Sequence, residues 1–285
     1  MAERHDHGEP GLSEQQAAVV AHDRGPLLVL GAAGSGRTEA LARRLARLVG
    51  EGDRPLALTR SIAAANRIRA RAEETIETAY EELVVHTHPV AAARLLREHA
   101  TEAEVDPFFE SLSPAERLAM LLERIDELPL RRHEIRGNPA GLLARIVDRI
   151  DALKSGGVTA ERFRRWSEEQ AGESQSERDS AAREREFAEV YELHDEMLRA
   201  AGAMDDTDAV LELTKLLGER PALAEAVSTR FPHLIVDELE DACPAERALI
   251  EALARAAETT VLSCDDDQAR ARCGAASAWA RQALG

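Results

Sequence analysis

The chain carries five short apolar runs, and in each of them the hydrophobic residues are continuous rather than alternating with polar ones. Such runs are typical of strands in a parallel sheet that is covered on both faces, because both sides of each strand are buried. We predict strands at residues 26–30, 55–59, 83–87, 233–237 and 259–263. Helical patterns at residues 39–49 and 62–77 separate the first three strands, and intervals of roughly 25 residues suit right-handed βαβ crossovers.

The long stretch between Thr87 and His233 has no convincing strand pattern. Its apolar spacing predicts helices at residues 90–99, 114–128, 139–153, 160–170 and 180–201, and the breaks between them contain Pro, Gly and Ser. The predicted fold is therefore α/β, a parallel sheet with an inserted all-helical subdomain. Residues 1–90 and 203–285 form the sheet domain in this interpretation, and residues 91–202 form the insert.

Polar chemistry gathers where the predicted strands end. The five strands are followed by a Gly-rich loop, Thr59-Arg60-Ser61, His86-Thr87-His88, Asp237-Glu238 and Asp265-Asp266-Asp267-Gln268. Ligands of open α/β sheets bind at the carboxyl ends of the strands. We therefore expect these five segments to converge on one site.

The loop GAAGSGRT follows the first strand and leads into a helix. It matches the phosphate-loop pattern Gly-x-x-x-x-Gly-Lys-[Ser/Thr] except that arginine replaces the lysine. Its backbone N–H groups and the positive end of the following helix favour a polyphosphate, and the threonine hydroxyl suits Mg²⁺. The candidate nucleotide-binding residues are Gly31, Ala32, Ala33, Gly34, Ser35, Gly36, Arg37 and Thr38.

The acidic pair Asp237-Glu238 closes an apolar strand, LIVDE. In nucleotide hydrolases the first acid of such a pair positions Mg²⁺, and the second orients or deprotonates the attacking water. Gln268 follows the last strand and is a candidate sensor of the γ-phosphate. His86 and His88 with Asp237 fit no standard metal-site spacing.

Composition limits the classes of partner. A formal net charge of −17 argues against a nucleic-acid footprint over the whole surface, although residues 37–71 hold nine arginines against three acidic residues. Of the 36 basic residues only Lys154 and Lys215 are lysines. A general preference for arginine over lysine in this sequence is therefore one explanation for arginine at position 37, where the pattern has lysine.

The three cysteines form no Cys-x-x-Cys pair, which favours reduced thiols and a cytoplasmic protein. No apolar run approaches the roughly 20 residues of a membrane span, and the first residues, MAERHDHGEP, do not resemble a signal peptide. We expect no membrane partner.

Several segments together resemble the N-terminal ATP-binding domain of UvrD/Rep-like superfamily 1 DNA helicases. LSEQQAAVV at residues 12–20 is similar to the family's glutamine motif, and LALTRSIAAANRIRAR at 56–71 to the LALTFTNKAA segment that touches single-stranded DNA. FPHLIVDELEDACPAERALIEAL at 231–253 is close to F-x-x-I-L-V-D-E-F-Q-D-x-x-P-x-Q. AMDDTDAV at 203–210 resembles D-F-D-D-L, and CDDDQARARCGA at 264–275 resembles G-D-x-D-Q-S-I-Y-x-F-R-G-A.

The resemblance implies a RecA-like domain that uses ATP and Mg²⁺. Gln16 would read adenine, and Thr38 with Asp237 would hold Mg²⁺. Glu238 would orient water, and Gln268 would report the γ-phosphate. The family's phosphate-loop lysine is Arg37 here, at the place of a catalytic cation.

Other departures fall on the DNA-contacting segment and on the fifth strand. Arg60 replaces an aromatic residue, Ile62-Ala63 replaces an Asn-Lys pair, and Cys264 replaces a glycine. The nucleotide pocket is thus mostly kept while DNA-contacting aromatics are lost. We expect ATP or ADP binding, with contact to single-stranded DNA possible but weakened.

The expected activity is binding rather than efficient hydrolysis. Such helicases place ATP between two RecA-like domains, and this sequence ends at Gly285, directly after the first. An arginine finger from elsewhere contributes roughly 10³–10⁵ in rate in related phosphoryl-transfer enzymes. We expect a diverged helicase domain with weak or no turnover on its own.

Two alternatives remain. One is a non-catalytic, nucleotide-responsive module, a pseudo-helicase whose acidic helical insert binds a protein partner; the net acidity and the lost aromatics favour it. The other is a small-molecule kinase. It is less favoured, because adjacent Asp-Glu is a hydrolase arrangement and no Arg-rich lid is present in the sequence.

Overall fold

The computed structural model describes residues 11–77, 80–132, 137–265 and 276–284. Within these residues the strands are β1 (Gly25–Leu30), β2 (Pro55–Thr59), β3 (Val84–Thr87), β4 (Glu110–Ser111), β5 (Ala203–Met204), β6 (His233–Val236) and β7 (Thr259–Cys264). A five-stranded sheet has the order β1-β7-β6-β2-β3, and all of its pairs are parallel. The predicted parallel α/β sheet is confirmed, and each predicted strand is found to within one residue at either end.

The described helices are α1 (Glu14–Ala21), α2 (Arg37–Gly50), α3 (Ile62–Glu73), α4 (His88–Glu98), α5 (Ala100–Ala103), α6 (Pro114–Glu123), α7 (Pro139–Ser155), α8 (Ala160–Glu169), α9 (Gln175–Ala200), α10 (Asp206–Glu219), α11 (Pro221–Arg230), α12 (Pro244–Ala254) and α13 (Ala276–Leu284). Short 3₁₀ turns occur at Ile125–Glu127 and Leu239–Asp241. Across the described parts of the chain, no helix has both the length and the apolar character needed to cross a bilayer.

Three predicted helices differ from the structure by four or five residues at one end. The helix expected at residues 180–201 begins five residues earlier, because Ser174 and Glu177 form a capping box across the segment that was predicted to be a break. The helix expected at residues 114–128 stops at Glu123 and continues as a 3₁₀ turn, since Arg124 leaves the helical conformation. The helix expected at 62–77 ends at Glu73.

The prediction that no strand lies between Thr87 and His233 is wrong in detail. β4 and β5 pair in parallel, with Glu110 opposite Ala203 and Ser111 opposite Met204. Two residues are too few to show a hydrophobic period, and both residues of β4 are exposed. Neighbouring backbone bonds, from Glu110 N to Gly202 O and from Leu112 N to Met204 O, extend the pairing.

Residue contacts divide the chain into two compact units. The first comprises Met1–Thr87, Glu225–Ala242 and Leu253–Gly285 and contains the five-stranded sheet; the second comprises His88–Ala224 and Cys243–Ala252. The second unit continues past residue 203, where the insert was expected to end, and includes α10. The division into an ATP-binding domain and a helical insert at residues 91–202 stays a prediction.

The core of the first unit forms where α2 and α3 cover the sheet. Leu41, Leu45 and Leu48 recur at helical spacing along one face of α2 and are buried. Their cluster includes Ile68 of α3 and strand residues such as Val261. Full burial of each large apolar side chain stabilises the fold by about 1.5–3 kcal/mol, so this packing fixes the start of α2 against the sheet.

Arg44 is fully buried on the same helix and binds the end of α1. Its Nη1 donates to the carbonyl oxygens of Val19, at 3.3 Å, and of His22, while Nη2 donates to Thr259 Oγ1 at 3.1 Å. Burial lowers the pKa of Arg44 to about 10, so the guanidinium stays charged at neutral pH. A cation therefore satisfies carbonyls that the end of a helix leaves unpaired.

The second unit is built from packed helices around a buried ionic cluster. α4 packs against α10, α6 against α7 and α8 against α9. Lys154 of α7 is 1% exposed, and its Nζ lies 2.8 Å from Asp195, 2.8 Å from Asp205 and 2.6 Å from Asp208. Burial by itself lowers the pKa of Lys154, but the three carboxylates raise it above its ordinary value. Asp205 and Asp208 also form the capping box of α10.

The ionic cluster predicts that replacing Lys154 lowers the free energy of unfolding much more than replacing Lys215, the other lysine of the chain. Lys154→Met should reduce the free energy of unfolding by roughly 3–5 kcal/mol, because it removes the cation that Asp195, Asp205 and Asp208 share, although Arg117 Nη1 still lies 3.3 Å from Asp205. Lys215→Met removes a lysine whose side chain is 56% exposed and should change it by less than about 0.5 kcal/mol. Urea denaturation followed by circular dichroism measures both. Equal effects would contradict a stabilising role for the cluster.

Candidate functional site

A loop between β1 and α2 presents backbone to solvent. Gly34 and Gly36 have positive φ angles of 79° and 80°, which cost a glycine little because it has no Cβ. Gly36 is the N-cap of α2 and provides no side-chain cap, while residues 32–35 are exposed. The N–H groups at the start of α2 therefore lie in an open, electropositive loop that suits an anion.

Gln16 binds this loop from the side of α1. Its Oε1 accepts from Ser13 N at 2.9 Å in a capping box, and its Nε2 donates to Ser35 O at 3.1 Å. A Cβ added at Gly36 would run into Gln16 Nε2. The structure thus places Gln16 against the backbone of the phosphate loop, and its role in reading adenine stays a prediction.

Thr38 and Asp237 meet although 199 residues separate them. Thr38 lies in the first turn of α2, and its Oγ1 donates to Asp237 Oδ2 at 2.9 Å. Asp237 directly follows β6 and is 4% exposed; its N–H donates to Leu58 O at 2.9 Å and extends the ladder with β2. A hydroxyl and a carboxylate are oxygen ligands that fit Mg²⁺, which binds one or two protein groups together with water and phosphate.

Metal binding by a larger set of side chains finds no support here. Among the described residues, no group of three or more His, Cys, Asp or Glu could hold a metal ion. A Mg²⁺ ion at Thr38 and Asp237 would therefore take its other ligands from solvent and substrate.

Glu238 has an unusual backbone conformation beside Asp237. Its φ of 58° and ψ of 38° lie in the left-handed region, which costs roughly 1–3 kcal/mol for a residue with a side chain. Its Oε2 accepts from Thr59 Oγ1 at 3.1 Å, and its Oε1 lies 3.3 Å from Arg67 Nη2. These contacts hold the carboxylate at the carboxyl end of β2, where an acceptor could orient a water molecule.

Arg37 is the first residue of α2 and points towards two acids. Its Nη2 lies 3.6 Å from Glu240 Oε1 and 3.8 Å from Asp265 Oδ2. Asp265 N donates to the other Glu240 oxygen at 3.1 Å. Burial raises the pKa of Glu240 above its ordinary value, and backbone hydrogen bonds and Arg37 offset this only in part.

Sequence reasoning missed two residues of this arrangement. Glu240 lies in the 3₁₀ turn after β6, and Arg67 lies on α3 with its side chain 57% exposed. Neither residue belongs to a strand-end motif by spacing alone. Gln268, the predicted γ-phosphate sensor, lies outside the described residues.

The sequence matches the profile of one protein family over most of its length. The match to the UvrD/REP helicase N-terminal domain covers residues 12–269. It therefore includes the phosphate loop, the second unit and the acidic strand ends.

Individual relatives agree with this match. The chain is 31% identical over 254 residues to the ATP-dependent DNA helicase UvrD1 of Mycobacterium tuberculosis, which covers 85% of this chain and 30% of the relative. It is 27% identical over 267 residues to DNA helicase II of Haemophilus influenzae, covering 90% and 34%. ATP-dependent DNA helicase PcrA of Staphylococcus epidermidis is 24% identical over 263 residues, covering 90% and 33%. The chain spans about a third of the length of the curated relatives it matches.

Because Gln16 packs on the loop, we predict that adding a methyl group at Gly36 lowers the free energy of unfolding. Gly36→Ala should destabilise the protein by at least about 1–2 kcal/mol, because its φ is left-handed and the new Cβ displaces the Gln16 amide. Gly50→Ala, at the other end of α2 in open space, should be neutral or stabilising by up to about 1 kcal/mol. Chemical denaturation measures both. Adding Gln16→Ala to Gly36→Ala should recover part of the loss, and no recovery would argue against the contact.

Proposed function

Because this chain belongs to the UvrD/REP helicase N-terminal domain family, we propose that it is the ATP-binding domain of a UvrD-like ATP-dependent DNA helicase. In this proposal it binds ATP and ADP with Mg²⁺ at the loop of residues 31–38. The domain binds nucleotide but hydrolyses it slowly or not at all, because the cation of the loop is Arg37 instead of a lysine. The cysteine pattern of the sequence is the support for placing this function in the cytoplasm.

The hydrogen bond between Thr38 and Asp237 carries the proposal. It joins the phosphate loop to the carboxyl end of β6 at 2.9 Å, so the two groups expected to share one Mg²⁺ are already adjacent. Bound Mg²⁺ would supply charge neutralisation for the phosphates of ATP. The loop N–H groups would bind the phosphates, and Thr38 and Asp237 would exchange their mutual bond for contacts with the metal.

Glu238 would act as the acceptor that orients the attacking water next to that pair. Thr59 and Arg67 hold its two oxygens, and the left-handed backbone directs the chain away from β6 immediately after Asp237. Gln16 at the loop would read adenine, and Gln268 would report the γ-phosphate, as the family resemblance implies.

Arg37 limits the chemistry of the site. An arginine keeps the charge of a lysine, but its planar fork does not replace a compact ammonium that reaches the β- and γ-phosphates. Its Nη2 lies close to Glu240 and Asp265, so part of the charge that should stabilise the transferred phosphoryl group is already neutralised. Slow or absent hydrolysis follows.

The second candidate function is a nucleotide-responsive interaction module without catalysis. The net charge of −17 and the position of Arg37 favour it, and the acidic helical unit would carry the surface for a protein partner. Single-stranded DNA would bind weakly in either case, because Arg60 occupies the place of a stacking aromatic in the segment after β2.

Magnesium dependence tests the nucleotide site. A fluorescent N-methylanthraniloyl derivative of ATP should bind at least about tenfold more weakly after chelation of Mg²⁺, a loss of about 1.4 kcal/mol, since Asp237 then faces the phosphates without a metal. Asp237→Asn should lose most of the Mg²⁺ effect. Asp23→Asn changes an acid whose side chain is 72% exposed and should retain it. Absence of binding at millimolar ATP with Mg²⁺ would refute the proposal.

Restoring the lysine separates the two candidate functions. If the remaining machinery is that of a helicase domain, Arg37→Lys should increase ATP turnover in the presence of single-stranded DNA, because an ammonium can then reach the β- and γ-phosphates. A coupled phosphate-release assay measures this, with the unchanged chain as reference. No increase, with nucleotide binding retained, would favour the interaction module.

A further inference from the structure

Three charged side chains from three separate elements meet at the start of α2. Arg37 begins α2, Glu240 lies in the Leu239–Asp241 turn after β6, and Asp265 directly follows β7. Their side chains are 13%, 5% and 4% exposed. We call these three residues the Arg37 cluster.

The cluster is held in place by the backbone. Asp265 N donates to Glu240 Oε2 at 3.1 Å, which leaves Glu240 Oε1 to face Arg37 Nη2 at 3.6 Å. One carboxylate oxygen is thus fixed by the main chain and the other is presented to the guanidinium. The contacts of Arg37 at 3.6 and 3.8 Å are longer than hydrogen bonds, so charge attraction holds them.

Within the Arg37 cluster, two carboxylates face one guanidinium. A phosphate that approached Arg37 would have to displace these carboxylates or accept their repulsion, and in a buried site such terms are larger than in water. The cation of the loop is therefore already occupied within the protein.

Glu240 is the acid that distinguishes this cluster from the family pattern. The pattern D-E-F-Q-D aligns with Asp237-Glu238-Leu239-Glu240-Asp241, so a glutamate stands at the place of a neutral amide. Asp265 matches the acid of the G-D-x-D-Q pattern. The replacements at Arg37 and Glu240 thus involve two residues that contact each other and carry opposite charges.

We propose that Glu240 is a positioning residue that sets the nucleotide affinity of the phosphate loop, because with Asp265 it holds Arg37 in an internal ion-pair cluster and away from phosphate. This inference rests on the proposed function of the loop. Glu240 acts through Arg37 and does not touch the nucleotide.

Substitution of Glu240 tests the effect on binding. Glu240→Gln keeps the shape and the bond from Asp265 N but removes the charge, so it should tighten binding of N-methylanthraniloyl-ADP with Mg²⁺ by roughly 5- to 150-fold. Glu51→Gln removes the same charge at the far end of α2, where the partner is Arg47, and should leave the affinity within about twofold of the unchanged chain. Equal affinities for both variants would overturn the proposal.

A double-mutant cycle without nucleotide tests the ion pair itself. Urea midpoints are compared for the unchanged chain, Arg37→Met, Glu240→Gln and the double variant. The double variant should lose less than the sum of the single losses, because removal of Glu240 relieves the negative charge that Arg37→Met leaves buried.

The double-mutant cycle tests the ion pair and the binding measurement tests the nucleotide site, so the two parts of the proposal can be contradicted independently. If the decrease in urea midpoint of the double variant equals the sum of the two single decreases, Arg37 and Glu240 do not interact, and the proposal fails whatever the binding result. If no variant binds nucleotide at millimolar concentration while the midpoints remain non-additive, the proposed function fails and the ion pair stands.

Discussion

Parallel pairing of all five strands is the constraint on which the rest of the site depends. Because β1, β7, β6, β2 and β3 run in one direction, their carboxyl ends fall on one edge of the sheet. The chain leaves that edge as the phosphate loop, as Asp237-Glu238 and as Asp265, and Thr59 ends β2 beside them. A hydrogen bond such as that from Thr38 to Asp237 is possible only because parallel register brings residues from distant parts of the sequence to the same level.

The phosphate loop is open, but the groups around it are fixed by buried contacts. Arg44 ties the last carbonyls of α1 to α2 and to Thr259, which determines where Gln16 lies. Gln16 in turn uses both ends of its amide, one for its own helix and one for the loop. The backbone of the loop is therefore supported by a buried arginine and a capping glutamine.

Continuous hydrophobic runs located the five strands of the sheet to within a residue. β2, β6 and β7 are buried along their whole length, as such runs predict, whereas β1 lies at the edge of the sheet and is only partly buried. The start of α9 and the whole of α10 were missed, since polar caps at Ser174 and Asp205 resemble loop sequence. At the site, the rule for strand ends was enough to bring Thr38, Asp237 and Glu238 together. It could not find Glu240, whose approach to Arg37 depends on the left-handed backbone at Glu238 and the short turn that follows.

Whether the positive charge of Arg37 is available to a ligand depends on the side chains around it as well as on its place in the loop. By sequence, Arg37 is a conservative change at one place of a motif, and the net charge of the loop is the same. In the fold, the longer and planar guanidinium extends to Glu240 and Asp265, which follow β6 and β7, at 3.6 and 3.8 Å. A carboxylate at Glu240 makes that direction favourable. We therefore infer that the two residues together turn a charge that would bind a ligand into an internal one, and that neither replacement alone explains how the site differs from the pattern it matches.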